Sequence, residues 1–289
     1  MDLEHAAIEQ LKLAEEMSLR YYQKPLMVTY SGGKDSDVCV ELARRAGIQF
    51  EVVHSHTTAD APETVYHVRK RFYDLELQGV PCQIVYPQYK GRRTSMWDLI
   101  PKKLIPPTRI VRYCCSIIKE TAGGNRAIVT GVRAAESVQR SGRGEFETIT
   151  PHRADKVILN NDNDSRRKIM ETCQMQGKTV FNPILYWENA DVWSFLKESK
   201  VETNPLYQCG FHRVGCIGCP MAGSNRYDEF RMFPKYENLY RKAFARMLEA
   251  RKAKGKPEIW KSADEVFRWW IEDKNLDGQL DLFGGEVGG

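Results

Sequence analysis

The chain has 289 residues, of which 42% are hydrophobic and 28% charged, and its formal net charge is +5. This composition is typical of a folded globular protein and excludes low-complexity disorder and a disulfide-stapled miniprotein. No apolar run approaches the roughly 18–20 residues that a membrane helix needs, and the first residues are acidic rather than signal-like. We therefore expect a cytoplasmic protein that does not enter a membrane.

Strand and helix patterns alternate through the first two thirds of the chain, which predicts βαβ units and a parallel sheet. The prolines between 101 and 107 predict an irregular connection, and the polar stretch 132–155 predicts a long loop. After about residue 200 the pattern changes to a loop rich in cysteine and glycine, followed by a basic helical tail. We expect two domains, 1–200 and 201–289. The predicted elements are helix 2–20, strand 26–30, helix 36–45, strand 50–54, helix 62–77, strand 83–86, helix 115–122, strand 127–130 and helix 189–197.

A glycine-rich loop with two serines, a lysine and an aspartate joins the first predicted strand to its helix. Glycines let backbone N–H groups point at an anion, and the helix N-terminus adds a positive dipole. Lys34 can neutralise a phosphate, and Asp35 can help to hold Mg²⁺. The spacing differs from the common NTPase loop. The alternative is a turn that only connects strand to helix. The six residues are Ser31, Gly32, Gly33, Lys34, Asp35 and Ser36.

This loop resembles the PP-loop of the ATP-pyrophosphatase superfamily. Further segments resemble its phosphoadenosine-phosphosulfate reductase-like branch, and they follow one another in the expected order. The resemblance implies an α/β fold of the adenine nucleotide alpha-hydrolase type, with a parallel sheet flanked by helices. It implies ATP and Mg²⁺ as cofactors, Lys34 and Asp35 as catalytic residues, and Arg133 and Arg140 as phosphate or sulfate ligands. The matching segments are 56–64, 113–119, 131–140, 182–193 and 204–219.

Five of the eight cysteines form a constellation that indicates a metal centre. Cys209, Cys216 and Cys219 lie in one glycine-containing loop, and Cys114 and Cys115 are neighbours far from it. This spacing alone allows either zinc or an iron–sulfur cluster, whereas the family resemblance implies a 4Fe–4S cluster.

Two sets of four cysteine ligands remain open. The resemblance implies the adjacent pair, Cys114 and Cys115, together with Cys216 and Cys219. Consecutive side chains on a helix diverge by roughly 100°, which favours Cys209 and only one of the pair. Our preferred set is therefore Cys115, Cys209, Cys216 and Cys219, which leaves Cys114 as a catalytic thiol able to carry a persulfide.

The absence of a cysteine from residues 220–289 bears on the reaction. Assimilatory reductases of the branch carry a nucleophilic cysteine near the C-terminus, so the sequence resembles more closely the ATP pyrophosphatases of DNA phosphorothioation systems. That resemblance implies an enzyme that adenylates an acceptor for sulfur transfer. Its partners would be a cysteine desulfurase, nucleic acid (DNA in preference to tRNA) and other modification subunits. The alternatives are an adenylyl- or phosphoadenylyl-sulfate reductase, and a non-catalytic regulator that binds nucleotide and cluster.

The basic tail is the second feature that bears on a nucleic-acid partner. Between residues 235 and 256 there are eight basic residues and two acidic ones, interleaved with Tyr236, Tyr240 and Phe244. Basic and aromatic residues together are typical of contact with a nucleic-acid backbone. The alternative is an amphipathic helix whose aromatic side chains face the core.

Overall fold

The computed structural model describes residues 2–119, 122–136, 144–149, 157–159 and 178–272. The strands are β1 Leu26–Thr29, β2 Phe50–Ser55, β3 Cys82–Val85, β4 Gln88–Tyr89, β5 Arg92–Arg93, β6 Ala127–Val129, β7 Phe146–Ile149, β8 Val157–Leu159 and β9 Lys178–Phe181. The α-helices are α1 Leu3–Met17, α2 Lys34–Ala46, α3 Pro62–Leu77, α4 Met96–Lys103, α5 Asn189–Glu198, α6 Asn225–Met232, α7 Pro234–Ala253 and α8 Ala263–Glu272.

The chain forms two compact units, each built from segments that are not contiguous in sequence. Of the described residues, the first unit comprises those within 1–56, 62–85 and 120–215. The second comprises those within 57–61, 86–119 and 216–289. The sequence predicts two contiguous domains that divide at residue 200, whereas each observed unit is formed by several segments that alternate along the chain.

The first unit contains a seven-stranded sheet in the order β3-β2-β1-β6-β9-β7-β8. Strands β3, β2, β1, β6 and β9 are parallel, and β7 and β8 add an antiparallel edge. The predicted α/β fold with a parallel sheet flanked by helices is confirmed. Successive strands run outward from β1 to β3, and the chain then returns to place β6 on the other side of β1. Such a switch point leaves a crevice at the carboxyl ends of the strands, where ligands bind in sheets of this kind.

Helix α2 supports this crevice from behind because several of its apolar side chains pack in the core. Val38, Leu42 and Ala43 are buried in the same core cluster as Leu26 and Val28 of β1. Helices α1 and α5 both pack against α2. The start of α2 is therefore fixed relative to the strand that precedes it.

The predicted loop 132–155 is wrong in part, because residues 146–149 form strand β7. Phe146 pairs with Phe181 of β9, and their rings lie 5.1 Å apart. Tertiary pairing with a distant strand thus overrides the polar local pattern of this stretch.

In the second unit, α4 and α8 pack against the long helix α7. Tyr240 and Phe244 of α7 are buried against Phe230 and Trp270. The aromatics at these two positions of the predicted tail therefore face the core, as the amphipathic alternative requires, rather than a nucleic acid.

Helix α4 forms despite Pro101, which the sequence pattern assigned to an irregular connection. Its first turn is capped by Ser95, whose hydroxyl accepts a hydrogen bond from the Asp98 N–H. A proline leaves the carbonyl four residues earlier without its helical donor. Here that carbonyl belongs to Trp97, and the Arg246 guanidinium of α7 donates to it at 2.6 Å. Among the residues that the structure describes, no helix has the length and apolar character to span a membrane.

Candidate functional site

The predicted phosphate loop follows β1 and opens α2 at the switch point of the sheet. Gly33 caps α2 in an extended conformation, so the helix begins at Lys34. On the neighbouring strand β6, the chain continues directly into Gly131 and Arg133. A Cβ on Gly131 would lie 2.9 Å from the Asp35 carbonyl oxygen, which shows how closely the two loops approach.

Gly32 makes the loop possible because its backbone has a φ of +77°. A side chain there would also meet the Thr64 and Val68 methyl groups at 3.0 Å. A Cβ on Gly33 would lie 3.3 Å from the Tyr207 hydroxyl. The loop is thus a backbone cradle of the kind that holds phosphate groups at a helix N-terminus.

Three charged side chains converge on the start of α2. The Lys34 ammonium donates to Asp35 at 3.2 Å, and the Arg133 Nε donates to the other Asp35 carboxylate oxygen at 2.7 Å. Lys34 and Arg133 are buried, with 6% and 3% of their surface exposed. The predicted residues Lys34, Asp35 and Arg133 are therefore together, and two cations border the cradle, as an anionic ligand requires.

The two serines of the loop bond within it. The Ser36 hydroxyl donates to the Gly33 carbonyl at 2.7 Å and lies 3.2 Å from both the N–H and the hydroxyl of Ser31. These bonds close the loop at its base. The shape of the cradle is set by the backbone conformation of the glycines.

Two residues that the sequence placed in a family segment without assigning a role also fix the loop. The Asn204 amide donates to the Gly32 carbonyl at 2.9 Å and to the Thr64 hydroxyl at 3.1 Å. The Tyr207 hydroxyl accepts the Lys34 N–H at 2.9 Å, and burial raises the Tyr207 pKa. Because Tyr207 uses one of the first N–H groups of α2, its hydroxyl lies where a ligand oxygen approaches a helix N-terminus.

A buried polar cluster lies behind the loop. The Tyr30 hydroxyl donates to Asp37 at 2.6 Å and lies 3.0 Å from the His67 Nε2. Asp37 is completely buried. Burial, followed by the Asp37 charge, raises the Tyr30 pKa well above its ordinary value. The cluster ties β1, α2 and α3 together beneath the cradle.

Arg140, the other predicted phosphate ligand, and Cys173 lie outside the described residues. Arg140 therefore stays a prediction.

The structure brings four of the five candidate cysteines into the second unit. They are Cys114 and Cys115, at the start of a π-helical turn, and Cys216 and Cys219 from the loop before α6. Cys209 belongs to the first unit and is exposed. The backbone departs from α-helical geometry at Cys115–Lys119. The Cys114 thiol forms a hydrogen bond with the Cys115 sulfur, so both members of the adjacent pair can face one site.

The four thiols of the second unit interact electrostatically. A hydrogen bond from Cys114 and another from Arg112, at 3.3 Å from the Cys115 sulfur, lower the Cys115 pKa to about 5. The same bond to Cys115, together with burial and nearby Cys216 and Cys219, raises the Cys114 pKa.

Two cations offset the negative charge that thiolates would bring to this place. Arg112 bonds Cys115, and the Lys119 pKa is raised first by Cys216 and also by Asp60, Cys219 and Cys115. Partly buried thiolates compensated by cations fit the donor set of an iron–sulfur cluster.

Hydrogen bonds between the backbone of residues 217–218 and groups outside the loop hold the loop that carries Cys216 and Cys219 in place. The Ile217 N–H donates to Ala59, the Gly218 N–H donates to the Glu229 carboxylate at 2.7 Å, and the Tyr240 hydroxyl donates to the Ile217 carbonyl. A Cβ on Gly218 would lie 2.5 Å from the Phe230 ring. The two sulfurs are thus fixed against α6 and α7.

Comparison with known proteins identifies the family of this chain. The model of the phosphoadenosine phosphosulfate reductase domain matches residues 25–222, which include the phosphate loop and all five candidate cysteines. The chain belongs to this family. An uncharacterized protein of Methanocaldococcus jannaschii is 30% identical over 87% of this chain, and an adenosine 5'-phosphosulfate reductase of Staphylococcus haemolyticus is 24% identical over 71%.

The chain covers different fractions of the full lengths of these relatives. The chain spans 74% of the Staphylococcus reductase but 52% of the M. jannaschii protein and 42% of a second M. jannaschii relative. Thus it spans about half the length of these two relatives. A solved phosphoadenylyl-sulfate reductase of Candida auris has a TM-score of 0.47 and 16% identity, over 74% of this chain and 92% of that one. The curated adenosine 5'-phosphosulfate reductases among the relatives support the predicted alternative function more than DNA phosphorothioation.

Proposed function

We propose that this chain binds adenylyl sulfate or phosphoadenylyl sulfate in the first unit and acts on it as a sulfonucleotide reductase. The observation that carries the proposal is the glycine cradle at the switch point, with buried Lys34 and Arg133 beside it. The nucleotide phosphate would accept hydrogen bonds from the loop N–H groups. The relatives named as adenosine 5'-phosphosulfate reductases support this substrate class.

The reaction would cleave the bond between sulfur and the bridging phosphate oxygen. A thiolate of a dithiol co-substrate attacks sulfur and the nucleoside phosphate leaves. The second thiol of the same co-substrate then displaces sulfite and completes the disulfide. Two thiols are oxidised while the sulfate sulfur gains two electrons. Lys34 would stabilise the charge that develops on the leaving phosphate, because a buried cation acts strongly on such a group.

We also propose that Cys114, Cys115, Cys216 and Cys219 hold a 4Fe–4S cluster in the second unit. Their shared location, the hydrogen bond between Cys114 and Cys115, and the compensating Arg112 and Lys119 support this set. This ligand set contains Cys114 in place of Cys209, which belongs to the set preferred from the sequence. When bound, the cluster would supply a charged, redox-active centre.

A second candidate function is ATP pyrophosphatase activity that prepares a nucleic acid for sulfur transfer, as in DNA phosphorothioation. It is favoured by the lack of any cysteine in residues 220–289, where reductases of the branch carry their nucleophile. In that case Mg²⁺ would accompany the pyrophosphate, a cysteine desulfurase would supply sulfur, and further modification subunits would take part.

One substrate panel separates the candidates. Protein purified without air is incubated with adenylyl sulfate, phosphoadenylyl sulfate or ATP and a dithiol reductant, and sulfite, AMP and pyrophosphate are measured. We expect sulfite from one of the sulfonucleotides, lost in Lys34→Met and kept in Lys12→Met, an exposed control lysine. Pyrophosphate from ATP without sulfite would replace the reductase by the second candidate. Nucleotide binding without turnover would favour the non-catalytic regulator.

A further inference from the structure

The second unit carries a basic surface built from three separate segments. They are the β4–β5 hairpin, the end of α4, and the loop after α7. The cations of this surface are Lys90, Arg92, Arg93, Lys102, Lys103, Lys252, Lys254 and Lys256, and all except half-buried Lys103 are exposed.

The first two segments meet around the ring of Tyr89. The ammonium groups of Lys103, Lys90 and Lys102 lie 4.8, 5.8 and 6.0 Å from its centroid. Arg93 stacks on Tyr86 at 4.0 Å. The three ammonium groups around one ring repel one another, and the ring quadrupole offsets this repulsion only in part. An anion bound at this place would reduce the repulsion.

The third segment adjoins the second through a buried arginine. Arg251, near the end of α7, donates to the Leu104 carbonyl at 2.9 Å, directly after Lys103. Its backbone carbonyl accepts the Lys256 N–H, which folds the loop 252–256 back toward this helix end. The lysines of the loop therefore continue the basic surface of α4.

The cations of this surface remain available, because they form no ion pairs with carboxylates of the described residues. Within the part of the chain that the structure describes, none of the eight pairs with a carboxylate. By contrast, Arg241 and Arg246 of α7 pair with Asp264 and Asp98. The basic residues of the tail thus include arginines of α7 that form ion pairs and lysines of the loop after α7 that do not.

We infer that this surface binds the phosphate backbone of a nucleic acid, without reading its sequence. Eight cations match the roughly 6–10 phosphates that such proteins contact, and exceed what one nucleotide can neutralise. Tyr89 is encircled by lysines, so the surface is suited to phosphates rather than to base stacking. The surface also adjoins the thiols, because Lys103 lies 6.0 Å from the ring of Tyr113, which directly precedes Cys114.

Fluorescence anisotropy with a labelled DNA duplex of about 20 base pairs tests this inference across a salt series. The variant replaces Lys90, Arg92 and Arg93 by Gln, and a second variant replaces Lys102 and Lys103 in the same way. The matched control replaces three exposed lysines of the first unit, Lys12, Lys70 and Lys197, by Gln.

We expect the hairpin variant to bind at least about tenfold more weakly and its salt slope to fall by about 2–3, because each phosphate contact contributes about 0.9. The control should stay within about twofold. Equal losses in variant and control would show an effect of net charge only and overturn the inference. So would absence of binding by the unaltered protein at about 50 mM salt, or tighter binding to phosphatidylserine vesicles than to the duplex. The assay contains no nucleotide substrate, so its outcome is independent of the proposed reaction.

Discussion

The Arg133 guanidinium donates a hydrogen bond to the Asp35 carboxylate, with 2.7 Å between Nε and Oδ1. Asp35 lies in the first turn of α2, and Arg133 follows β6 on the other side of the switch point. Their bond joins the two loops that border the crevice. The shape of the candidate nucleotide site therefore depends on both strands.

Gly32→Ala should abolish nucleotide binding, because the left-handed backbone strains an alanine there and its Cβ would displace the Thr64 and Val68 methyl groups, which lie 3.0 Å away. The matched control is Gly79→Ala, at a φ of +84° with nothing within 4 Å. Each left-handed alanine costs about 1–2 kcal/mol of unfolding free energy. Calorimetric titration with adenylyl sulfate should show lost binding only in Gly32→Ala. Retained affinity in that variant would contradict the cradle.

Cysteine substitutions decide between the two ligand sets, which differ in one residue. In protein purified without air, we expect Cys114→Ser, Cys115→Ser, Cys216→Ser and Cys219→Ser each to lose iron, measured by elemental analysis, and Cys209→Ser to keep it. A Cys114→Ser protein with full iron and a Cys209→Ser protein without iron would restore the sequence-based set. One zinc and no iron in the unaltered protein would leave only a structural metal site.

Arg226→Ala should destabilise the second unit by about 2–4 kcal/mol, because it removes buried charge-assisted hydrogen bonds and leaves carbonyls unpaired. The Arg226 guanidinium donates to the Trp270 and Ile271 carbonyls at the end of α8. Arg231→Ala on the same helix is the control, since its ion pair with Asp228 is exposed and worth less than about 1 kcal/mol. Urea denaturation measures both. Equal midpoints for the two variants would remove this role of Arg226.

The sequence predicted the phosphate loop well because its six residues are contiguous and their chemistry is local. Strand β1, helix α2 and the stop at Gly47 follow from short-range patterns in the same way. The roles of Asn204 and Tyr207 were missed, because their partners in the loop lie 172 and 173 residues away. Contacts at such separations exist only after the chain has folded.

The thiol arrangement and α4 show two further limits of the sequence. The expected divergence of neighbouring side chains argued against using both Cys114 and Cys115, whereas their thiols form a hydrogen bond in the structure. The prolines between 101 and 107 predict an irregular connection, but the donor that Pro101 cannot supply to the Trp97 carbonyl is replaced by Arg246, 149 residues away. In both cases a side-chain contact of the folded protein decided the outcome.

The most direct test of the account is the affinity for adenylyl sulfate of the unaltered protein, Lys34→Met and the control Lys12→Met, measured by calorimetric titration without air. Lys34 is buried beside the cradle, and Met keeps its apolar stem while removing its charge. We expect at least about a tenfold loss of affinity, equal to about 1.4 kcal/mol, in Lys34→Met alone. Equal affinities in all three proteins would contradict a phosphate site in this loop.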